Sequence, residues 1–259
     1  MSQLARIDLV VAALYLLVSQ TGCAQLMNQD LSPPPGGETV SVSVKVPKDL
    51  VANAMRVMYR SEKCPITRSD GSGGRYEIDG AKAIEVEPQQ QGMTDIYEAK
   101  LAKDGGGFCE WKLSNVTFGI HFGNTEQFGE KVEFSGGGEV VVIFDNNLPQ
   151  QQSMYGARDV DGDVLISEDY FPWLRRVFLG GTNTLIELLG RQKFITYSSY
   201  SARKVVFEPS YHADLLVKTN GVKVSGGGEL AEVIYPDGSS QFTNSGPNIN
   251  RLKKIAASR

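Results

Sequence analysis

The segment TVSVSVKV, residues 39–46, alternates without a break. Val40, Val42, Val44 and Val46 face one way, and Ser41, Ser43 and Lys45 face the other. A period of two belongs to a half-buried β-strand. The same alternation returns in TDIYEAKLA and FCEWKLSNVTFGIHF. RYEIDGAKAIEVE (residues 75–87) reads as strand, turn, strand. KVEF, VVVIF, KFITYSSY, KVVFE, ADLLVKT, VKV and LAEVIY are strand-like as well. Glycine accounts for 28 of 259 residues, and its concentration at strand junctions suits twisted antiparallel sheets with bulges.

Three stretches follow a helical period instead. After Pro47, KDLVANAMRVMYR places Leu50, Val51, Ala54, Met55 and Met58 on one stripe of a 3.6-residue repeat. In residues 168–192, EDYFPWLRRVFLGG lines up Trp173, Leu174, Val177 and Phe178. TNTLIELLGRQ then lines up Leu185, Leu188 and Leu189, with Thr182 or Asn183 as the cap.

The pentapeptide SGGGE occurs at residues 135–139 and again at 225–229. A strand-like segment and one of the two histidines precede each copy: His121 comes 14 residues before the first, His212 13 before the second. The shared order predicts a duplication. The expected fold is therefore α+β and β-rich, with two related antiparallel-sheet units at 39–150 and 151–259, each with a short helical segment. The polar stretch NNLPQQQSMYGARD joins them. A phosphate loop would need a helix N-terminus after the glycines. Here β-type runs follow, and Glu139 and Glu229 would repel an anion. The glycines read as a strand junction or a flat surface.

Other chemistry is sparse. Asp159, Asp161 and Asp163 match the first ligands of a calcium loop, but Val164 stands where glycine is required and Tyr170 where a bidentate glutamate is required. DVDGDV reads equally as an Asp-Gly turn. Neither histidine lies beside a nucleophile motif, although Asp214 could orient His212. No catalytic residue, metal ligand or cofactor is expected. Net charge is −4 without a basic patch, which argues against nucleic acid.

The N-terminus carries Arg6, then an apolar run of about ten residues, 9–18, too short for the roughly 20 residues of a spanning helix. It fits a secretory leader. The closing SQTGC resembles the lipobox of bacterial lipoproteins. That resemblance implies a signal peptide at 1–22 and lipidation of Cys23. With Ala24 following, it further implies sorting to the periplasmic face of the outer membrane. An ordinary secreted protein or an uncleaved anchor is the alternative. Residues 23–38, with PPPGG, would form a tether. Lipidation of Cys23 leaves Cys64 and Cys109 as a pair, which an oxidising periplasm would join as a disulfide; two buried free thiols are the alternative.

Taken together, LVSQTGC, PPPGG, CEWKLSNVTFGIHF and SGGGE resemble the immunity lipoproteins encoded beside type VI secretion phospholipase effectors. The resemblance implies a periplasmic protein that binds a phospholipase toxin and blocks it. It assigns no contact residues; the glycine-rich loops and the acidic stretch 159–169 are candidates. An envelope lipoprotein binding a small ligand or glycan in a cleft between the units is the other reading, and a hydrolase a third.

Overall fold

The structure, a computed structural model, describes residues 29–147, 150, 155–177, 183–221 and 230–259. The leader with Cys23, Phe178, Thr182, VKV at 222–224 and the second SGGGE lie outside the described residues.

Eighteen strands, β1–β18 in chain order, form two sheets among the described residues. The first sheet runs β18 (Ser240–Thr243), β17 (Ala231–Ile234), β16 (Val217–Asn220), β12 (Val164–Val177), β15 (Lys204–Tyr211), β1 (Thr39–Lys45), β6 (Ile96–Ala102), β5 (Gln89–Gln90). To it β13 (Asn183–Leu189) adds on β12, and β9 (Val132–Phe134) on β13. The second runs β11 (Arg158–Asp159), β14 (Phe194–Ser198), β10 (Glu139–Ile143), β8 (Trp111–Phe122), β3 (Met55–Ser69), β4 (Arg75–Val86). Here β2 (Leu50–Ala52) and β7 (Asp104–Gly106) pair with β8.

Both sheets are mixed, which corrects the antiparallel expectation. β15 lies parallel to both β1 and β12, and β14 parallel to both β10 and β11. Some parallel pairs join strands from opposite sides of residue 150, as β1 with β15 and β10 with β14, and others lie wholly after it, as β12 with β15; each sheet takes strands from both sides. The expected units 39–150 and 151–259 therefore do not coincide with the two sheets. One hydrophobic core joins the sheets face to face. Val40, Val42 and Val44 of β1 and Val205 and Phe207 of β15 meet Val57, Val116, Phe118 and Val140 from the other sheet. Phe118 and Phe207 make an edge-to-face contact at 6.2 Å between ring centroids, a favoured aromatic geometry.

The predicted helix after Pro47 is instead β2 and the start of β3. Met55, Val57 and Tyr59 are buried while Arg56 is exposed, so the period of two prevails where β4 and β8 flank the strand on both sides. The predicted helices at 168–192 are β12 and β13, paired antiparallel from Phe171↔Leu189 to Val177↔Asn183. Consecutive Tyr170 and Phe171 are both buried, Tyr170 in the main core and Phe171 in a second, smaller core. A strand buried on both faces loses its alternation, and that produced the helical appearance. RYEIDGAKAIEVE is one continuous strand, β4. Asp79-Gly80 makes no turn there; Gly80 is needed because a Cβ would come within 2.1 Å of the Cys64 carbonyl oxygen.

One helix of the described residues, α1 (Ile249–Ala257), was not expected. The Asn248 side chain caps it by accepting from the Arg251 N–H at 3.1 Å. Leu252 inserts into the second core beside Phe171, Val217, Val233 and Tyr235. No helix among the described residues is long and apolar enough to cross a membrane.

The tether expectation also changes. Residues 29–32 and Glu38 are bound to the body, with exposed Pro33–Gly37 between them. Leu31 packs against the main core, and the Ser32 N–H donates to Gly105 O at 2.8 Å. Lys82 reaches Gln29 O and Asp30, and Trp111 Nε1 donates to Gln29 O at 2.9 Å. Backbone and side-chain partners on β4, β7 and β8 hold this segment, and its prolines disfavour the alternative helical conformations.

Candidate functional site

Cys64 and Cys109 form a disulfide, with Cα atoms 5.4 Å apart and a sequence separation of 45. Closing a loop of that size stabilises by about 4 kcal/mol in the chain-entropy picture. The bridge sits where β3 leaves the sheet. β3 pairs with β8 only as far as Arg60↔Lys112. The β3–β4 register then shifts between Ser61 and Ile66, with three more residues on β3 than on β4. This bulge is tied to the β7–β8 turn by more than sulfur. Ser61 Oγ donates to Cys109 O at 2.5 Å, and it accepts from the Cys64 N–H at 3.0 Å. Lys63 pairs with Glu110 at 2.8 Å and lies 4.9 Å from the Phe108 ring centre. The Lys63 ammonium holds the Glu110 carboxyl below its ordinary range.

Beyond the bulge, β3 and β4 continue as a two-stranded arm, Ile66↔Ile78 to Ser69↔Arg75. Its tip is ordered by Asp70, whose Oδ1 accepts from the Ser72 N–H at 2.8 Å and the Gly74 N–H at 2.9 Å. Those N–H groups, Ser72 first, hold the Asp70 carboxyl low. Gly71 and Gly73, at φ +80° and +96°, supply the left-handed turn.

The first SGGGE is a junction between the sheets. β9 belongs to one sheet and β10 to the other, and Gly136, Gly137 and Gly138 carry the chain across with φ of +125°, +96° and +78°. A Cβ on Gly137 would lie 2.0 Å from Leu188 O, and one on Gly138 2.6 Å from Ile120 O. The acidic stretch makes a second crossing. Asp163 Oδ1 accepts from the Arg203 and Lys204 N–H groups at 2.9 and 2.8 Å, which lower its pKa. Asp161 takes a bond from Ser201. These carboxylates bind their own chain, and no metal-type cluster occurs among the described residues.

The two histidines sit in unlike settings. His121 lies on β8, a strand with antiparallel neighbours, and its Nδ1–H donates to Asn53 Oδ1 at 2.5 Å. Burial lowers its pKa from 6.5. His212 follows β15, stacks on Phe171 at 4.6 Å and bonds Asp169 at 2.9 Å. Asp214, its expected orienter, instead pairs with Arg259 at 2.7 Å. Burial pushes Asp169 up, but the bonds from His212 and from Lys253 of α1 outweigh it and keep the carboxyl low. This arrangement holds α1 to the body. Glu168, nearly buried, is matched by Arg158 and Arg191, the pattern expected of a buried charge.

Three surface clefts are defined. One of about 510 Å³ lies at the arm's base, lined by Arg60, Glu62, Lys63, Asp79, Glu110 and Lys112 among others. Another, about 520 Å³, surrounds Thr125–Val132. The third, about 620 Å³, lies between Asp159–Asp161 and Ser198–Ser201. Charged residues line most of the first, whereas apolar atoms make up the larger share of the wall in the other two. Each is lined from one side of residue 150 only.

The class defined by these features is a disulfide-stapled, mixed two-sheet sandwich with a projecting β-arm. No family model, curated protein or solved structure matches the chain.

Proposed function

We propose that this chain is a periplasmic lipoprotein, anchored to the outer membrane through Cys23, which binds another protein and acts as an immunity protein against a secreted phospholipase toxin. The observation that carries the reading is the closed Cys64–Cys109 bridge. Such bridges persist in oxidising compartments, and the cysteine left over, Cys23, closes SQTGC at the end of the leader-like run. Binding rather than turnover is supported by where the polar groups are spent. The described bonds of His121 and His212 go to Asn53 and Asp169, and the acidic stretch satisfies its own backbone.

Co-purification with the product of the adjacent gene tests the function. A stable complex that silences that enzyme's lipase activity is expected. A neighbouring enzyme that stays active and unbound sinks the immunity reading. Cys23→Ser should release the chain from membranes, and retention there would refute lipidation.

A further inference from the structure

Main-core packing does not require the arm's side chains. Alternation along the ribbon puts Ile66, Ile78, Arg68 and Tyr76 on one face, since Ile66 pairs with Ile78 and Arg68 with Tyr76. Thr67, Glu77, Ser69 and Arg75 take the other. Neither Ile66, Ile78 nor Tyr76 belongs to a core of the described residues, and Tyr76 is 50% exposed. A two-stranded ribbon is marginal alone in water. This one is fixed at its base by the disulfide, the Lys63–Glu110 pair and the Ser61 bonds, and at its tip by Asp70. An ordered ribbon with exposed Tyr76 and Arg68 beside half-buried Ile66 and Ile78 on one face has the composition of an interface anchor, already rigid before contact.

We infer that the Ile66/Ile78/Arg68/Tyr76 face of the β3–β4 arm is the surface by which the protein engages its partner, entering an apolar cleft with a carboxylate at its rim. This rests on the protein-binding reading above and names its contact surface. The β3–β4 pair continues past the last β3–β8 pairing at Arg60↔Lys112, and a ribbon two strands wide fits a cleft. A second copy, whose Asp159–Ser201 cleft sets Val160 and Tyr200 beside Asp159 and Asp161, is the rival occupant that sedimentation distinguishes. On this face Arg68 is the charged residue, so charge complementarity calls for an acidic rim. On the ribbon as a whole, Asp70, Glu77 and Asp79 accompany the arginines, a mixture unsuited to an anionic lipid surface.

The test is a titration of the detergent-purified full chain against the adjacent gene's product. Tyr76→Ala and Arg68→Glu should each weaken the complex by at least about thirtyfold, the effect of a hot-spot residue. Tyr76→Phe should stay within about threefold, because the ring supplies most of the buried area. Tyr200→Ala, an exposed aromatic on the Asp159–Ser201 cleft, should leave affinity unchanged. Full affinity in both arm variants overturns the arm assignment and leaves the protein-binding reading standing. Absence of a complex with the unaltered chain overturns both. Self-association in sedimentation, or flotation with phosphatidylglycerol vesicles, that Tyr76→Ala abolishes would show the wrong occupant and overturn the assignment.

Discussion

The two halves of β3 share a strand but not a cause of order. From Met55 to Arg60 the strand lies between β4 and β8, and Met55, Val57 and Tyr59 enter the core. From Ile66 to Ser69 it has β4 alone, with Ile66 half-buried and Thr67, Arg68 and Ser69 exposed. Burial orders the first half; covalent and polar ties at the base and tip order the second. Strand geometry is thus held by two exchangeable means. The half that does without burial keeps its side chains free for other contacts.

The contrast is broken most severely from the core side. Phe207→Ala, at a fully buried position, should cost about 3–5 kcal/mol in urea unfolding; a loss under about 1 kcal/mol would mean the sheets do not share one core. Replacing both Cys64 and Cys109 with serine should cost about 2–4 kcal/mol. Hydrogen exchange should then show arm amides at 66–78 losing protection well before those at 55–60. Equal loss in both halves would erase the distinction. Asn248→Ala removes the α1 cap and should cost about 1 kcal/mol with the arm unaffected. Tyr76→Ala should change stability by less than about 0.5 kcal/mol, as at other exposed sites. A larger loss would place Tyr76 in the packing.

Acid provides a graded version of the test. Burial lowers the His121 pKa below 6.5 in the folded state. The unfolded chain then binds the proton more readily, and stability falls as pH drops below about 6.5. The low carboxyls, Asp163 and Asp169 among them, add their losses further down, below about 4. His121→Gln should flatten the pH 4.5–6.5 portion of the stability curve. An unchanged slope there would exclude His121 as its source.

Strands that present one face to the core were legible, and β1 is the clearest case. β12 was not, because Tyr170 and Phe171 serve two cores on opposite faces, an arrangement that depends on partners far away in sequence. α1 escaped notice because its apolar side is short, although Asn248 and Leu252 marked its start and its buried side. The Cys64–Cys109 pairing could be read from cysteine parity. The arm could not: nothing in SDGSGG separates an arm tip from any other glycine-rich turn, and IDGA gave a false turn whose glycine answers to the Cys64 carbonyl. The interleaving of strands from both halves has no local signal at all.

That interleaving sets a clock. β1 needs β15 as a neighbour, and Ser43 bonds Val205 O across 162 residues of sequence. At about 5–20 residues per second, roughly 10–30 s separate the two strands as the chain is synthesised. Throughout that interval the valines of β1 lack half of their intended cover. Stalled chains ending before and after Tyr211 would report the moment of closure: β1 should become protease-resistant only in the longer ones. The N-terminal strand is the first piece made and among the last to be finished, and whatever escorts the nascent chain must wait for its far end.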